Sequence, residues 1–194
     1  MMRKITAGLF AGADGVVEDP QNWHFPYFDD DLGAAVMEQL GSADTVLFGR
    51  KTYEGFAEAW PAREAAKEED YEMAVALGNM RKIVVSHSPL EFAWRNSEQV
   101  PGDLLDFVKE LKAGEGGPIG MSGSVSVVRQ LLHAGLLDEL HLFVHPIAVG
   151  KGLRIWEDDL DEPIKLRLIK CDVFKSGTLH VVYGPDDTED DTAA

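Results

Sequence analysis

The sequence predicts an α/β protein of three layers, in which a mostly parallel, twisted sheet with an antiparallel C-terminal edge carries helices on both faces. Three observations lead there. Strand-like and helix-like segments alternate to about residue 135, and only strand-like segments follow. Thr45-Val46-Leu47-Phe48 is short and apolar throughout, as in a strand buried on both faces of a parallel sheet. Two strands, ending at Phe48-Gly49 and Met121-Ser122-Gly123, run directly into helices, the junction found at the carboxyl edge of open α/β sheets.

Lys4 to Ala11 reads as the first strand, closed by Gly12-Ala13-Asp14-Gly15, with Val16-Val17 resuming as a short extended piece. Asp19-Pro20-Gln21-Asn22 is turn chemistry, and Trp23 to Phe28 is an aromatic loop. Asp29 to Leu40 opens with acids suited to a helix N-terminus and repeats apolar residues at Leu32, Ala35, Val36 and Leu40. A helix follows Arg50; Glu64 to Gly78, charged and alanine-rich, reads as a surface helix or mobile flap. Arg81 to Ser86 is a strand and Phe92 to Asn96 a weaker one. Pro101-Gly102-Asp103 caps a helix with Leu104, Leu105, Val108 and Leu111 on one face. Pro118 to Met121 is a strand, Gly123 to Ala134 a helix stopped by Gly135. Glu139 to Val149, Ile164 to Phe174 and Thr178 to Tyr183 are three strands, the last two joined as a hairpin at Lys175-Ser176-Gly177. One domain, residues 1–184, is expected, with residues 185–194 a disordered acidic tail.

A net charge of −16 on 194 residues disfavours nucleic acid and anionic membranes as partners. No run approaches the roughly 18 apolar residues of a membrane span, and the opening residues lack a signal peptide's apolar stretch, so a cytoplasmic protein is expected. The single Cys171 excludes an internal disulfide and reads as a buried or half-buried strand residue; the histidines show no ligand spacing, so no metal is expected.

The chemistry concentrates at the two junctions. A helix start offers free backbone N–H groups and the positive end of the helix dipole. At the first, Gly49 permits close approach, Arg50 and Lys51 bring positive charge, and the Thr52 hydroxyl can donate to a phosphate oxygen. At the second, Ser122-Gly123-Ser124-Val125 puts small residues where bulk would hold a diphosphate off the amides. The spacing is neither G-x-G-x-x-G nor a Walker loop.

These junctions, with Asp14-Gly15, the strand Lys82 to Ser86, the run Gly135 to Leu142 and the exit His145-Pro146-Ile147-Ala148-Val149-Gly150-Lys151-Gly152, resemble the dihydrofolate reductase superfamily. The similarity is greater to its branch containing the C-terminal reductase domain of the bifunctional riboflavin-biosynthesis deaminase-reductase. The resemblance implies an NADPH-dependent reductase that transfers hydride to a C=N or C=O bond of a small heterocycle, an aminouracil ribose or a pterin-like ring. It implies that Gly49, Arg50 and Thr52 hold cofactor phosphates, that Ser86 and His87 lie at the adenosine end, and that Ser122, Gly123, Ser124 and Val125 cradle the diphosphate. Phe10, Ala11 and Val17 would line the nicotinamide side, and Trp23 and Phe25 would cover a flat ring.

For the proton that accompanies hydride, the candidates are Asp29 and Asp31, after the aromatic loop, and Asp14 at the end of the first strand. Register does not choose among them, and acids at a helix start also serve as caps. Lys151 and Arg154 read either as an anion clamp or as a solvated loop. A homodimer through the antiparallel edge is expected. The competing reading is a non-catalytic NADP- or nucleotide-binding regulatory dimer that has kept the fold.

Overall fold

The computed structural model describes residues 2–67, 70–156, 160 and 162–186. Its helices and strands are β1 (Ile5–Gly12), α1 (Asp30–Gly41), β2 (Thr45–Gly49), α2 (Arg50–Ala66), α3 (Tyr71–Asn79), β3 (Arg81–Val85), β4 (Ser97–Gln99), α4 (Leu104–Ala113), β5 (Ile119–Ser122), α5 (Val125–His133), β6 (Glu139–His145), β7 (Leu166–Val173) and β8 (Leu179–Pro185). The strands form one sheet in the order β4-β3-β2-β5-β1-β6-β8-β7. Pairing is parallel from β4 to β6, and β8 runs antiparallel to both β6 and β7. The α/β architecture with an antiparallel C-terminal edge is therefore the one expected.

Both faces of the sheet are covered. Ile5, Ala7 and Leu9 of β1, Leu47 of β2 and Met121 of β5 pack in one cluster with Val108 of α4 and Val127, Val128 and Leu131 of α5. The alternate residues Val46, Phe48 and Val84 pack with Leu40 of α1, Tyr53 of α2, and Met73 and Leu77 of α3. Leu32 and Ala35 of α1 rest on Phe143 of β6. This alternation is the period-two pattern of strands buried on both sides.

Local signals place the helix ends. Asp103 caps α4 by accepting the Leu105 and Asp106 N–H groups at 2.9 and 3.0 Å. Gly135, at φ +63°, closes α5: its N–H reaches the Leu132 carbonyl at 3.1 Å, and the Leu136 N–H reaches Leu131 at 2.9 Å. That reciprocal pair ends a helix through one left-handed residue.

Four local expectations are corrected. Glu64 to Gly78 is not one surface helix or flap: α2 extends to Ala66, and α3 buries Met73, Ala74, Leu77 and Gly78 in the core. The high charge of this stretch masked a narrow apolar stripe. Phe92 to Asn96 is not a strand, because its aromatic residues turn inward, Phe92 and Trp94 against Tyr53, and Asn96 at φ +59° breaks extension just before β4. Helix α5 starts at Val125 rather than Gly123, since Gly123 and Ser124 both have positive φ and cannot begin a right-handed helix. Cys171 is exposed, because β7 is an edge strand with little packed on either side. Pro185 pairs with Leu166 as the end of β8; residues 187–194 of the expected tail lie outside the described residues.

Candidate functional site

Strands β2 and β5 are neighbours, paired at Thr45 with Ile119 and at Val46 with Gly120, so their two junctions emerge side by side at the carboxyl edge. They are bonded to each other. The Gly49 N–H donates to Ser124 Oγ at 2.9 Å, and the Ser124 N–H donates to Thr52 Oγ1 at 3.0 Å. Ser124 Oγ is 3.4 Å from the Ser122 carbonyl, to which it donates, and the Gly123 N–H reaches the Gly8 carbonyl of β1 at 3.3 Å. Gly123 is needed twice over: its φ is +59°, and a Cβ there would stand 3.2 Å from Thr52 Cγ2. Ser124 holds the left-handed conformation at φ +56°, an arrangement its two hydrogen bonds offset. Ser124→Ala is expected to lower stability by about 1–2 kcal/mol, leaving the Gly49 N–H without its acceptor and keeping a strained backbone. Ser124→Gly loses the same bond but relieves the backbone, so chemical denaturation should rank alanine below glycine.

The clasp leaves donors facing outward. The first N–H groups of α2, and those of Val125 and Ser126 in α5, have no acceptor within their own helices, whereas the Val127 N–H bonds the Ser124 carbonyl at 2.9 Å, and the Thr52 hydroxyl, having accepted a bond, keeps its proton to donate. Arg50 lies exposed at the start of α2, its Nε donating to Glu54 at 2.8 Å and its Nη1 to Ser88 Oγ at 2.6 Å. Ser88 belongs to the turn that follows β3. Ser86 Oγ donates to the Ser88 carbonyl at 2.8 Å, and Gln99 Nε2 of β4 donates to both the Ser86 and Ser88 carbonyls at 3.0 Å. His87 stands exposed at its tip. Gly49, Arg50, Thr52, Ser86, His87, Ser122, Gly123, Ser124 and Val125 thus occupy three adjacent strand ends of one sheet edge. A set rich in N–H, hydroxyl and guanidinium donors, on helices whose positive ends face the same way, suits an extended polyanion such as a dinucleotide diphosphate.

The three acids separate by their hydrogen bonding. Asp29 is the N-cap of α1: one oxygen accepts the Leu32 N–H and the other the Ser176 N–H of the β7–β8 hairpin, both at 2.9 Å. The Leu32 N–H, with that of Ser176, holds its carboxyl below the usual range. Asp14 accepts the Gly150 N–H at 2.7 Å, the main cause of its own lowered pKa, and the Val16 N–H at 3.4 Å. Both groups are pinned as anions, unsuited to giving up a proton near neutrality. Asp31, in the first turn of α1, carries no hydrogen bond to its side chain among the described residues.

The aromatic loop closes over the ends of β1 and β6. His24, 6% exposed, stacks on Phe10 with ring centroids 4.6 Å apart and planes within 12°, and touches Phe25 at 4.2 Å. His145 of β6 lies fully buried against the ring edges of Trp23, His24 and Tyr27, with Nδ1 2.8 Å from the Phe143 carbonyl. Burial pushes His24 down to about 4, with His145 adding to the effect. Phe25 is exposed and Trp23 half-buried. Val17 goes elsewhere: it is buried in the main core, its N–H bonded to the Leu153 carbonyl.

Sequence reasoning missed Ser88, Gln99 and Glu18. A Ser-x-Ser repeat after a strand signals a hydroxyl-closed turn and would have pointed to Ser88. Gln99 and Glu18 have no local signal, because each acts across the fold. Glu18 accepts the Leu153 N–H at 3.1 Å, approaches Lys51 at 3.8 Å, and its carbonyl takes the Trp23 indole N–H at 3.1 Å. Arg154 donates to the Asp14 carbonyl at 3.1 Å, which makes it a brace between the exit loop and the end of β1. Among the described residues no group of three or more His, Cys, Asp or Glu side chains could hold a metal ion, and no helix is long and apolar enough to cross a membrane.

Residues 3–180 match the family model of the RibD C-terminal domain. The chain is 27% identical over 184 residues to the Bacillus subtilis protein YyaP, covering 93% of this chain and 94% of that one. Its fold is similar to the Thermotoga maritima diaminohydroxyphosphoribosylaminopyrimidine deaminase/5-amino-6-(5-phosphoribosylamino)uracil reductase, with a TM-score of 0.65 and 18% identity over 95% of this chain and 57% of that chain. It is likewise similar to Enterococcus faecalis dihydrofolate reductase complexed with NADP(H), with a TM-score of 0.62 and 16% identity over 96% of this chain and all of the other.

Proposed function

From the premise that the chain belongs to the RibD C-terminal domain family, we propose that it is an NADPH-dependent reductase acting on a small heterocycle. The observation that carries this reading is the pair of cross-bonded junctions, Gly49–Ser124 and Ser124–Thr52, with the Arg50–Ser88 contact beside them. Together they offer donors along a line from β5 to β3. NADPH bound there supplies a hydride. The Val125 and Ser126 N–H groups with the Ser122 hydroxyl would hold the diphosphate where Gly123 leaves room for it, the first turn of α2 with Thr52 would support it, and Arg50, Ser86 and His87 would receive the 2′-phosphate.

At the other end of the edge, Phe10 and the loop residues Trp23 and Phe25 orient a flat ring and keep water from it. The reaction also needs a proton at the ring's nitrogen or oxygen. Asp14 and Asp29 are held ionised by backbone N–H groups, so they position the loops around the ring, and Asp31 is the carboxyl left to relay a proton from solvent. The engagement of those two acids also favours the second reading, a protein that binds NADP without turnover. Cofactor oxidation across a panel of dihydropterins, aminouracils and imines separates the two: turnover supports the reductase, and binding without turnover on any member supports the binding protein.

Arg50→Ala is expected to weaken NADPH about tenfold or more by calorimetry while changing NADH little, because a guanidinium on a phosphate oxygen contributes about 1.5–3 kcal/mol. Equal losses for both cofactors would make Arg50 a structural residue, and no binding of either cofactor to the native protein would remove the cofactor from the proposal.

A further inference from the structure

The His24 imidazole is packed as a bound heterocycle would be. It stacks on Phe10 with centroids 4.6 Å apart and planes within 12°, meets Phe25 at 4.2 Å, and is edged by Phe28 at 5.8 Å and His145 at 6.0 Å. A flat nitrogen ring thus fills an aromatic enclosure at the ends of β1 and β6, and the chain itself supplies it. Its polar atoms are poorly served. His24 Nδ1 is buried with no hydrogen-bond partner, a cost that a phenyl ring in the same place avoids. Beside it, His145 Nδ1 lies 2.8 Å from the Phe143 carbonyl and 3.3 Å from that of Ala11; carbonyls only accept, so Nδ1 carries the proton and Nε2 is a bare acceptor. That Nε2 is also without a partner, in a side chain with no exposed surface.

The segment carrying His24 is fastened to the body by packing alone. Among the described residues, the hydrogen bonds of residues 19–28 all close within residues 18–28: the N–H groups of Asn22, Trp23, His24, Tyr27 and Phe28 reach loop carbonyls, the Gln21 amide reaches Asp19, and the Trp23 indole reaches the Glu18 carbonyl. The flanks are anchored. The Val17 N–H is bonded to the Leu153 carbonyl, and Asp29 accepts the Ser176 N–H. Residues 19–28 can therefore lift as a unit between two fixed points without breaking a hydrogen bond to the body. Phe25 and Phe28 are already 58% and 48% exposed, so deep burial of these rings does not hold the loop down.

We infer, resting on the proposed function for the class of ring, that His24 keeps the seat of the substrate: its imidazole stacks on Phe10 in the unliganded chain, and the heterocycle displaces it as residues 19–28 lift, giving an N–H to His145 Nε2. Two consequences follow from an occupied seat. Apparent affinity for the ring is reduced by the fraction of molecules in which His24 is out. Rings that carry an N–H are preferred over purely apolar ones, because only they satisfy the buried acceptor.

Calorimetry with 5,6-diaminouracil, and with toluene as a flat ring lacking N–H groups, tests this on the native chain and on His24→Ala. Removing the imidazole is expected to tighten 5,6-diaminouracil about tenfold or more, with toluene the weaker ligand of the variant. An equal gain for both rings would mean a filled cavity and overturn the inference, as would no gain, or no binding of 5,6-diaminouracil to either chain. A second measurement needs no variant. His24, pushed down to about 4 by burial, should titrate near 6.5 by NMR once 5,6-diaminouracil saturates the native chain; a His24 that stays low in the complex would overturn the exchange. NADPH binding is measured separately. Displacement of His24 on a chain that binds no NADPH sinks only the proposed function, and NADPH turnover with His24 still buried sinks only the exchange.

Discussion

Acidification from pH 7 to 4 is expected to cost the fold about 6 kcal/mol through two buried histidines. His24 and His180 are 6% and 2% exposed, and each is pushed down to about 4, chiefly by burial. An unfolded histidine titrates near 6.5, and each pKa unit is worth about 1.4 kcal/mol, so each contributes about 3 kcal/mol. The sign follows from proton counting. Between pH 6.5 and 4 the unfolded chain binds protons that the folded chain does not, so stability falls as pH falls through that window and levels off below it. His141 and His145, also held low by burial, push in the same direction.

The groups around each ring give no relief. His24 meets Phe10, Phe25, Phe28 and His145, and its Nδ1 has no hydrogen-bond partner. His180 Nε2 lies 3.0 Å from His141 Nδ1, Glu139 reaches that His141 ring from its far side at 3.4 Å, and the nearest carboxylate to His180 itself is Asp172 at 3.9 Å, with Lys170 and Glu38 beyond. Urea midpoints at pH 7, 5.5 and 4 for the native chain and for His24→Phe/His180→Phe check the attribution. The native midpoint should drop steeply below pH 6.5 and that of the double variant much less; parallel drops would assign acid sensitivity elsewhere. Because His24 belongs to the aromatic loop, that loop should be the first part to detach.

Lys82→Ala is expected to destabilise the protein by about 4 kcal/mol. Lys82 sits on β3 with no exposed surface, and its Nζ donates to the carbonyls of Leu77, Gly78 and Met80 at 2.8, 3.0 and 2.8 Å. These are terminal carbonyls of α3, left without partners by helix geometry and facing a dry interior. The same ammonium lies 4.3 Å above the Trp94 ring, where the ring's negative face adds to the negative end of the helix dipole. Alanine removes the donors and the methylene stem together, leaving unsatisfied carbonyls and a cavity. Lys82→Met keeps the stem, so its smaller loss in thermal or chemical unfolding measures the ammonium alone. Equal stability of the methionine variant and the native chain would show that packing dominates. The end of β3 carries the Ser86–Ser88 turn, so on the proposed function Lys82→Ala is expected to weaken NADPH binding at a site it does not touch.

How much of the site is legible in the sequence depends on how local its causes are. The Asp103 cap, the Gly135 stop and the β7–β8 hairpin rest on residues within a few positions of one another, and the two glycine junctions announced themselves in the same way. The resemblance carried by the run Gly135 to Gly152 supplied the family. What no local pattern conveys is the exchange of hydrogen bonds between distant segments. Ser124 and Thr52 are 72 residues apart, yet the neighbouring positions of β2 and β5 join two separate helix starts into one clasp.

The acids show the same limit. Asp14 and Asp29 sit where a reductase could use a proton donor, but the Gly150 and Ser176 N–H groups that hold them ionised arrive 136 and 147 residues later. The sequence by itself determined the fold class, the helix and strand order in all but two stretches, and the two strand-to-helix junctions at the sheet edge, because apolar period and backbone punctuation act over a few residues. Only the tertiary structure decided which of those residues spend their hydrogen bonds on the protein and which remain free for a ligand, because that depends on partners brought together by the strand order.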